Sequence, residues 1–340
     1  MRSFQSEKHL VASFHAALEI GGKQALDQTL DTHLSEDHHW RGMYPFLEQH
    51  GRADLASVFW EPFLDSFTAL QRRTDIFFAG ENSVGDTTAI WICSMGNFMG
   101  LHDKDWLGIP ATGKIKFMRF AEFNRVANGK IVETALFLDI LGIMHQSGVY
   151  PLGPSTGEMF AYPGPRTQDG LLRDDAPAEQ GEKTLQVVES MVADLSRLNQ
   201  SDSQRMPASE LAKSWHDEMV WYGPYGIGAT YTIERYQEQH QYPFRLNLAD
   251  KKFLGHVARF GEGNYAGFFG WPNLEHRPTG GFMGLVGHEK PVSMRIVDVY
   301  RREGDKLAEN WVFIDMLWYL KQQGLDVLER MRQIRRIEPV

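Results

Sequence analysis

One cysteine in 340 residues, Cys93, leaves nothing to pair into an intrachain disulfide and no set of thiolates for a metal centre. It reads as a small buried strand residue rather than a catalytic thiol. The chain also lacks any run of about 18 uninterrupted apolar residues, which excludes a membrane-spanning helix. Residues Met1 to Glu7 carry no apolar stretch of the kind that opens a secretory signal. Clusters of basic residues are missing too. Lys and Arg number 35 against 44 Asp and Glu, and the net charge of -9 is spread along the chain, so a nucleic-acid groove is not expected. Together these absences predict a cytoplasmic protein with neither a nucleic-acid nor a membrane partner.

What is present is enough apolar material for two cores: 42% of residues are hydrophobic and 23% charged, over a length that suits two domains. Sliding the sequence along itself shows why. Met118-Arg119 matches Met294-Arg295, Lys130 matches Lys306, Glu133 matches Glu309, Asp139 matches Asp315 and Gly148 matches Gly324, all at one offset (315 − 139 = 176). Trp40-x-Gly42-x-Tyr44 recurs as Trp221-x-Gly223-x-Tyr225, and Phe98-Met99-Gly100-Leu101 recurs as Phe282-Met283-Gly284-Leu285. Between the copies, Pro151, Pro154, Pro163, Pro165 and Pro177 interrupt any helix or ladder, although Met159, Phe160 and Tyr162 offer apolar anchors for packing. The expected organisation is a first domain over 1–150, a Pro/Gly-rich linker over 151–181 and a second domain over 182–340.

Within each copy, helices lead and strands follow. Leu10, Phe14 and Leu18 repeat at helical spacing over Glu7 to Ile20, as do Leu185, Val188, Met191 and Leu195 over Glu182 to Leu198. A second helix is expected near Leu55–Phe67, matched by Ile233–His240. Four β-rich runs come next, in the second copy Lys252–Phe260, Asn264–Trp271, Val292–Arg301 and Lys306–Asp315, and a helix over Met316 to Arg332 closes the chain. Asn128-Gly129 and Gly304-Asp305 turn the last two runs of each copy into a hairpin. The fold class is therefore α+β: two tandem cones, each with helices packed on a curved antiparallel sheet around a pocket.

The segment Gly129-Lys130-Ile131-Val132-Glu133, then Asp139-Ile140-Leu141-Gly142-Ile143 and Gln146-Ser147-Gly148, resembles the C-terminal signature of SnoaL-like polyketide cyclases of the nuclear transport factor 2-like superfamily. Its twin is Lys306 to Trp311, then Asp315 and Gln322-Gln323-Gly324. That resemblance implies cofactor-free acid/base chemistry inside the cone, and pairing of copies through their sheets, here satisfied within one chain as a pseudo-dimer; self-association of whole chains stays open. The family's acid/base Asp falls where this sequence has Leu136 and Val312, neither of which carries a proton. What the resemblance does carry over is the acidic position on the penultimate strand, Glu122 and Asp298, where ketosteroid isomerase, of the same fold, keeps a protonated Asp that donates to a ketone oxygen.

Several residues compete for a role. Asp298 is the leading pocket acid, against a strand acid paired to an arginine on another strand. Asn310, Val312 and Ile314 share the strand face that the resemblance turns inward, with Asn310 its hydrogen-bonding member. His256 and His240 are candidate bases, the latter sharing a helical face with Tyr236, against satisfied core histidines. Their first-copy matches are approximately Ala79 and Phe63, so polar groups are expected to concentrate in the second copy. Trp221 and Tyr225 read as pocket wall or as core. Asp139 and Asp315 end strands before helices and read as N-caps. Glu36-Asp37-His38-His39 and His102-Asp103-Lys104-Asp105 read as solvated loops, not a metal site. The expectation is an apolar small-molecule ligand in the second copy, no cofactor, and proton transfer on a carbonyl or ester by His256 or His240 with Asp298 and Asn310 polarising an oxygen; the competing class is a noncatalytic binding or assembly module.

Overall fold

The computed structural model describes residues 3–153, 155, 157, 160–199 and 206–335. Met1, Pro154 and Met159, named above, lie outside the described residues.

In the first half, the amphipathic helix Gln5–Gly21 buries Val11, Phe14 and Leu18, and the helix Leu26–His33 follows it. Six strands form one sheet: β1 (Leu34–Gly42), β2 (Glu48–His50), β3 (Phe67–Glu81), β4 (Ile90–His102), β5 (Ile115–Ala127) and β6 (Lys130–Leu138), in the order β2-β1-β6-β5-β4-β3. The sheet is mixed rather than antiparallel, because β1 runs parallel to β6. Strands β1 and β2 also precede the helical stretch Arg52–Ser66, so the simple order of helices then strands does not hold. Asn128 and Gly129 both take positive φ, which fits a tight turn matched to the twist of the β5–β6 hairpin.

The second half repeats this plan with interruptions. Its strands are β7 (Trp215–Tyr222), β8 (Ala229–Tyr231), β9 (Leu248–Phe253), β10 (Ala258–Glu262), β11 (Tyr265–Phe269), β12 (Leu274–Pro278), β13 (Val292–Met294), β14 (Ile296–Glu303) and β15 (Lys306–Ile314). They make a sheet ordered β10-β11-β14-β15-β7-β8, again with one parallel pair, β7 with β15, and a separate three-stranded sheet β13-β12-β9. The long strands β3, β4 and β5 thus each correspond to two shorter pieces. The expected strand Lys252–Phe260 breaks between Phe253 and Ala258, which leaves His256 in the break rather than mid-strand. The closing helix is likewise two helices, Met316–Gln322 and Val327–Arg335, separated by Gly324 at φ 83°.

Register tests the repeat. Phe98 pairs with Met118 and Leu274 with Met294, so the counterpart of Phe98 is Leu274; Phe282–Gly284 is a 3₁₀ turn, and its match to Phe98-Met99-Gly100 is coincidental. The Trp-x-Gly repeat is physical: a Cβ at Gly42 or Gly223 would overlap the ring of Trp40 or Trp221, which folds back over it. Both halves also carry a π-turn in the helix after β2 or β8, Ala56–Trp60 and Gln237–Gln241. Counting from these turns and from the rings beneath them, His240 corresponds to Phe59, which contacts Trp40 as His240 contacts Trp221, and not to Phe63. The β3–β4 and β10–β11 registers put His256 near Thr74, not Ala79.

The outer faces of the two large sheets pack against each other through Phe78, Phe123 and Phe137 on one side and Phe260 and Phe269 on the other, with Phe123 and Phe269 rings 5.1 Å apart. Tyr162, in the connecting stretch, is buried against Tyr222 and beneath the Arg119 guanidinium. The two motif aspartates cross this junction reciprocally. Asp139 accepts from the Tyr225 backbone N–H at 3.0 Å and from Arg119 at 3.2 Å. Asp315 accepts from the Tyr44 N–H at 3.1 Å and from Arg295 at 3.3 Å. Only Asp315 also caps its own helix, through Trp318 N–H at 3.3 Å; Asp139 makes no such cap.

Candidate functional site

Strand alternation turns Ile296, Asp298 and Tyr300 of β14 and Asn310, Val312 and Ile314 of β15 to one face. Across from them, the helix Ala178–Asn199 presents Met191, Val192 and Leu195, and the π-turn helix presents Tyr236, His240 and Phe244. Together they enclose a cavity of about 210 Å³ in the second half. Of the residues singled out from sequence, His256, Asp298, His240, Asn310, Tyr236, Trp221 and Val312 all line it. Tyr225 does not; its ring lies against Gly142 and His145 of the first half.

Asp298 sits on the cavity wall without a cationic partner: no arginine or lysine forms an ion pair with it among the described residues. Asn310 Nδ2 donates to Asp298 Oδ1 at 3.2 Å and to the Val299 carbonyl at 3.2 Å. Burial pushes the Asp298 carboxyl up to about 6, partly held back by Asn310 and the Tyr300 hydroxyl. The two hydroxyls beside it, of Tyr236 and Tyr300, are themselves pushed up from the usual tyrosine value by burial and by this carboxylate, so both stay protonated.

The histidines do not join Asp298. His256 stacks on Phe268, centroids 3.9 Å apart, with Phe253 at its edge, while Phe268 is the residue paired with Asp298 across β11 and β14. The expected His256–Asp298 dyad is therefore not formed. His240 stacks on Trp221 at 4.0 Å. Burial lowers both imidazoles to about 3, and each Nδ1 is buried without a partner. They are neutral aromatic walls near neutral pH, and weak bases.

Sequence reasoning missed Tyr300 and Asn273, both on the cavity wall. For Tyr300 the signal was available, since it lies two residues after Asp298 on the same strand. Asn273 lies in the break between β11 and β12, directly after Pro272, and no side-chain pattern turned it toward the cavity.

The first half differs from expectation. Its interior is polar as well: Glu122, at the position of Asp298, takes His15 at 2.5 Å, Arg72 at 2.9 Å and Asn124 at 2.7 Å, and Asn124 in turn takes Thr134 at 2.6 Å. Burial alone would raise Glu122, but Arg72 and His15 hold it well below the usual carboxylate range. Polar groups thus do not concentrate in the second copy; what distinguishes that copy is an acid left without a counter-charge. Of the segments read as solvated loops, Asp103–Asp105 is an exposed loop, whereas Glu36–His39 lies in β1 with Glu36 and Asp37 exposed and His38 fully buried, and His102 ends β4, buried against Phe67. Among the described residues no three His, Cys, Asp or Glu side chains converge as a metal site would need, and no helix is long and apolar enough to cross a membrane.

No family model and no curated protein matches the sequence. Among solved structures, the chain is similar to IdmH, a proposed polyketide cyclase from Streptomyces antibioticus (19% identity, 40% of this chain and 97% of that one, TM-score 0.33). It is similar also to a proposed SnoaL-like polyketide cyclase from Jannaschia (16%, 42% and 90%, TM-score 0.32) and to an NTF2-like protein from Burkholderia thailandensis (20%, 44% and 98%, TM-score 0.32).

Proposed function

We propose that the second half binds a small apolar compound bearing a carbonyl or ester oxygen and moves a proton on it without a cofactor, in a step of the cyclase, isomerase or hydrolase type, with Asp298 as the proton carrier. The observation behind this reading is the solitary Asp298 carboxyl in an aromatic cavity. A carboxyl shifted to about 6 exchanges its proton close to neutral pH, which is what general acid/base catalysis asks of it. The protonated Tyr236 hydroxyl supplies a donor beside it for a developing oxyanion, while Asn310 and the Tyr300 hydroxyl donate to the carboxylate itself and hold it in place. This reverses the roles expected from sequence: His256 and His240, stacked and held neutral, pack the flat body of the ligand, and the base is the aspartate. Trp221 and Val312 complete the apolar wall. The cavity of about 210 Å³ suits a one- or two-ring compound.

A second reading, ligand binding without turnover, is favoured by the missing contact between His256 and Asp298, which leaves no relay to carry the proton onward. As part of the same proposal we take residues 1–150 and 182–340 as two domains joined by 151–181, paired within the chain. The buried Cys93 suits a reducing compartment, the cytoplasm. The test is proton exchange: small aryl ketones in D₂O, followed by NMR, are expected to exchange the hydrogens next to the carbonyl, and Asp298→Asn to slow this by about 10²–10⁴. Compounds that bind but exchange no faster than in buffer would leave the cavity a binder alone.

A further inference from the structure

The charges inside the first half do more than the packing of its core needs. His15, on the buried face of the first helix, gives Nε2 to Glu122 at 2.5 Å, and Arg72 gives Nη2 to the other carboxylate oxygen at 2.9 Å. The Arg72 guanidinium lies over Phe98 and Phe120, 4.7 and 4.5 Å from the ring centroids, and its Nη1 is buried without a partner. Arg173, from the stretch connecting the halves, lies over Phe77 at 4.9 Å and makes no ion pair among the described residues. His15, Arg72, Arg173 and Phe77 line a cavity of about 210 Å³. The one acid on its wall is Glu19, whose Oε2 already accepts the Arg72 backbone N–H at 2.8 Å.

Donors therefore outnumber acceptors in this cavity. Glu122 spends both oxygens on side chains already present, and so holds Arg72, while the Arg173 guanidinium keeps its N–H groups without an ion-pair partner among the described residues. With Nε2 committed to Glu122, Nδ1 is the His15 nitrogen left for a ligand. Burial, reinforced by Arg72, keeps the ring below its usual value and so neutral, which makes Nδ1 an acceptor.

We infer that this cavity is a second ligand site, for a small organic carboxylate carrying a hydroxyl beside the acid group: the carboxylate against Arg173, the hydroxyl donating to His15 Nδ1, and the apolar remainder against Ala16 and Ile20. A planar guanidinium fork suits a carboxylate. The inference is independent of the chemistry proposed for the second half, whose cavity presents an acid and no arginine.

Mandelate is the probe, with mandelamide as its neutral counterpart, on the full chain by calorimetry and by NMR of the histidine rings. The expected result is saturable mandelate binding that moves the His15 ring signals and leaves those of His240 and His256 in place. Mandelamide and the Arg173→Ala variant are each expected to weaken binding at least tenfold, with Arg173→Lys recovering part of the loss. Arg173 is exposed, so these variants keep the core. Absence of saturation, equal binding of the amide, an affinity untouched by Arg173→Ala, or movement of His240 and His256 in place of His15 would each overturn the inference.

Discussion

Replacing Asp298 with Asn is expected to stabilise the protein at pH 8 and to leave it nearly unchanged at pH 4. Burial raises the folded-state pKa from 3.8 to about 6. Between those values the folded state binds the proton more tightly than the unfolded chain, so stability falls as pH rises through this window, and the loss is complete above about 6. At about 1.36 kcal/mol per pH unit the penalty at pH 8 is about 3 kcal/mol, an upper bound because the carboxyl retains some access to the cavity. Asn fills nearly the same space and cannot ionise, so it removes the penalty while keeping a polar partner for Asn310. Asp315 is also raised to about 6 and tilts the wild-type profile in the same direction, which is why the variant must be compared with wild type at each pH. Urea unfolding at pH 4, 6 and 8 measures it, and the wild-type-to-variant gap should open across that range. A gap that stays flat, or an Asn variant less stable at pH 8 than at pH 4 relative to wild type, would refute the account of Asp298 as a buried acid without a counter-charge.

Removing Arg119 by Arg119→Ala strands Asp139 in the junction between the halves, and is expected to cost about 3–5 kcal/mol in urea unfolding. Glu122→Gln leaves Arg72 without its carboxylate and should cost a similar amount, about 3–5 kcal/mol, at pH 7. Because Glu122 is held below its usual 4.5, that contribution is present above 4.5 and fades as the pH falls further, so the difference from wild type should shrink in acid. Val312→Trp should fill the second-half cavity and abolish uptake of an environment-sensitive apolar dye, whereas Tyr225→Ala, outside the cavity, should leave the dye's affinity unchanged.

The repeat was legible because backbone constraints wrote it into residue identity: a glycine under a tryptophan ring, a turn before the last strand, an aspartate at its end. The inward face of β14 and β15 followed from alternation, and it put Asp298, Asn310 and Val312 on one wall. Three things were hidden. The parallel pairing of β1 with β6 joins segments about ninety residues apart, with no local pattern to mark it. The breaks in β9–β10 and β11–β12 moved His256 off the strand and onto Phe268. The hydrogen bonds that Asp139 and Asp315 accept from backbone N–H groups in the opposite half span 86 and 271 residues, and their local signature is that of an ordinary cap.

The reciprocal clasp of Asp139 on Tyr225 and Asp315 on Tyr44 ties the two chambers together at a fixed ratio of one to one. In a pair of identical subunits any substitution would strike both interiors at once, and a carboxyl stripped of its cation would have to be tolerated twice. A single polypeptide is free of that symmetry. One chamber can keep its acid neutralised by His15 and Arg72 while its neighbour holds the same position without a counter-charge.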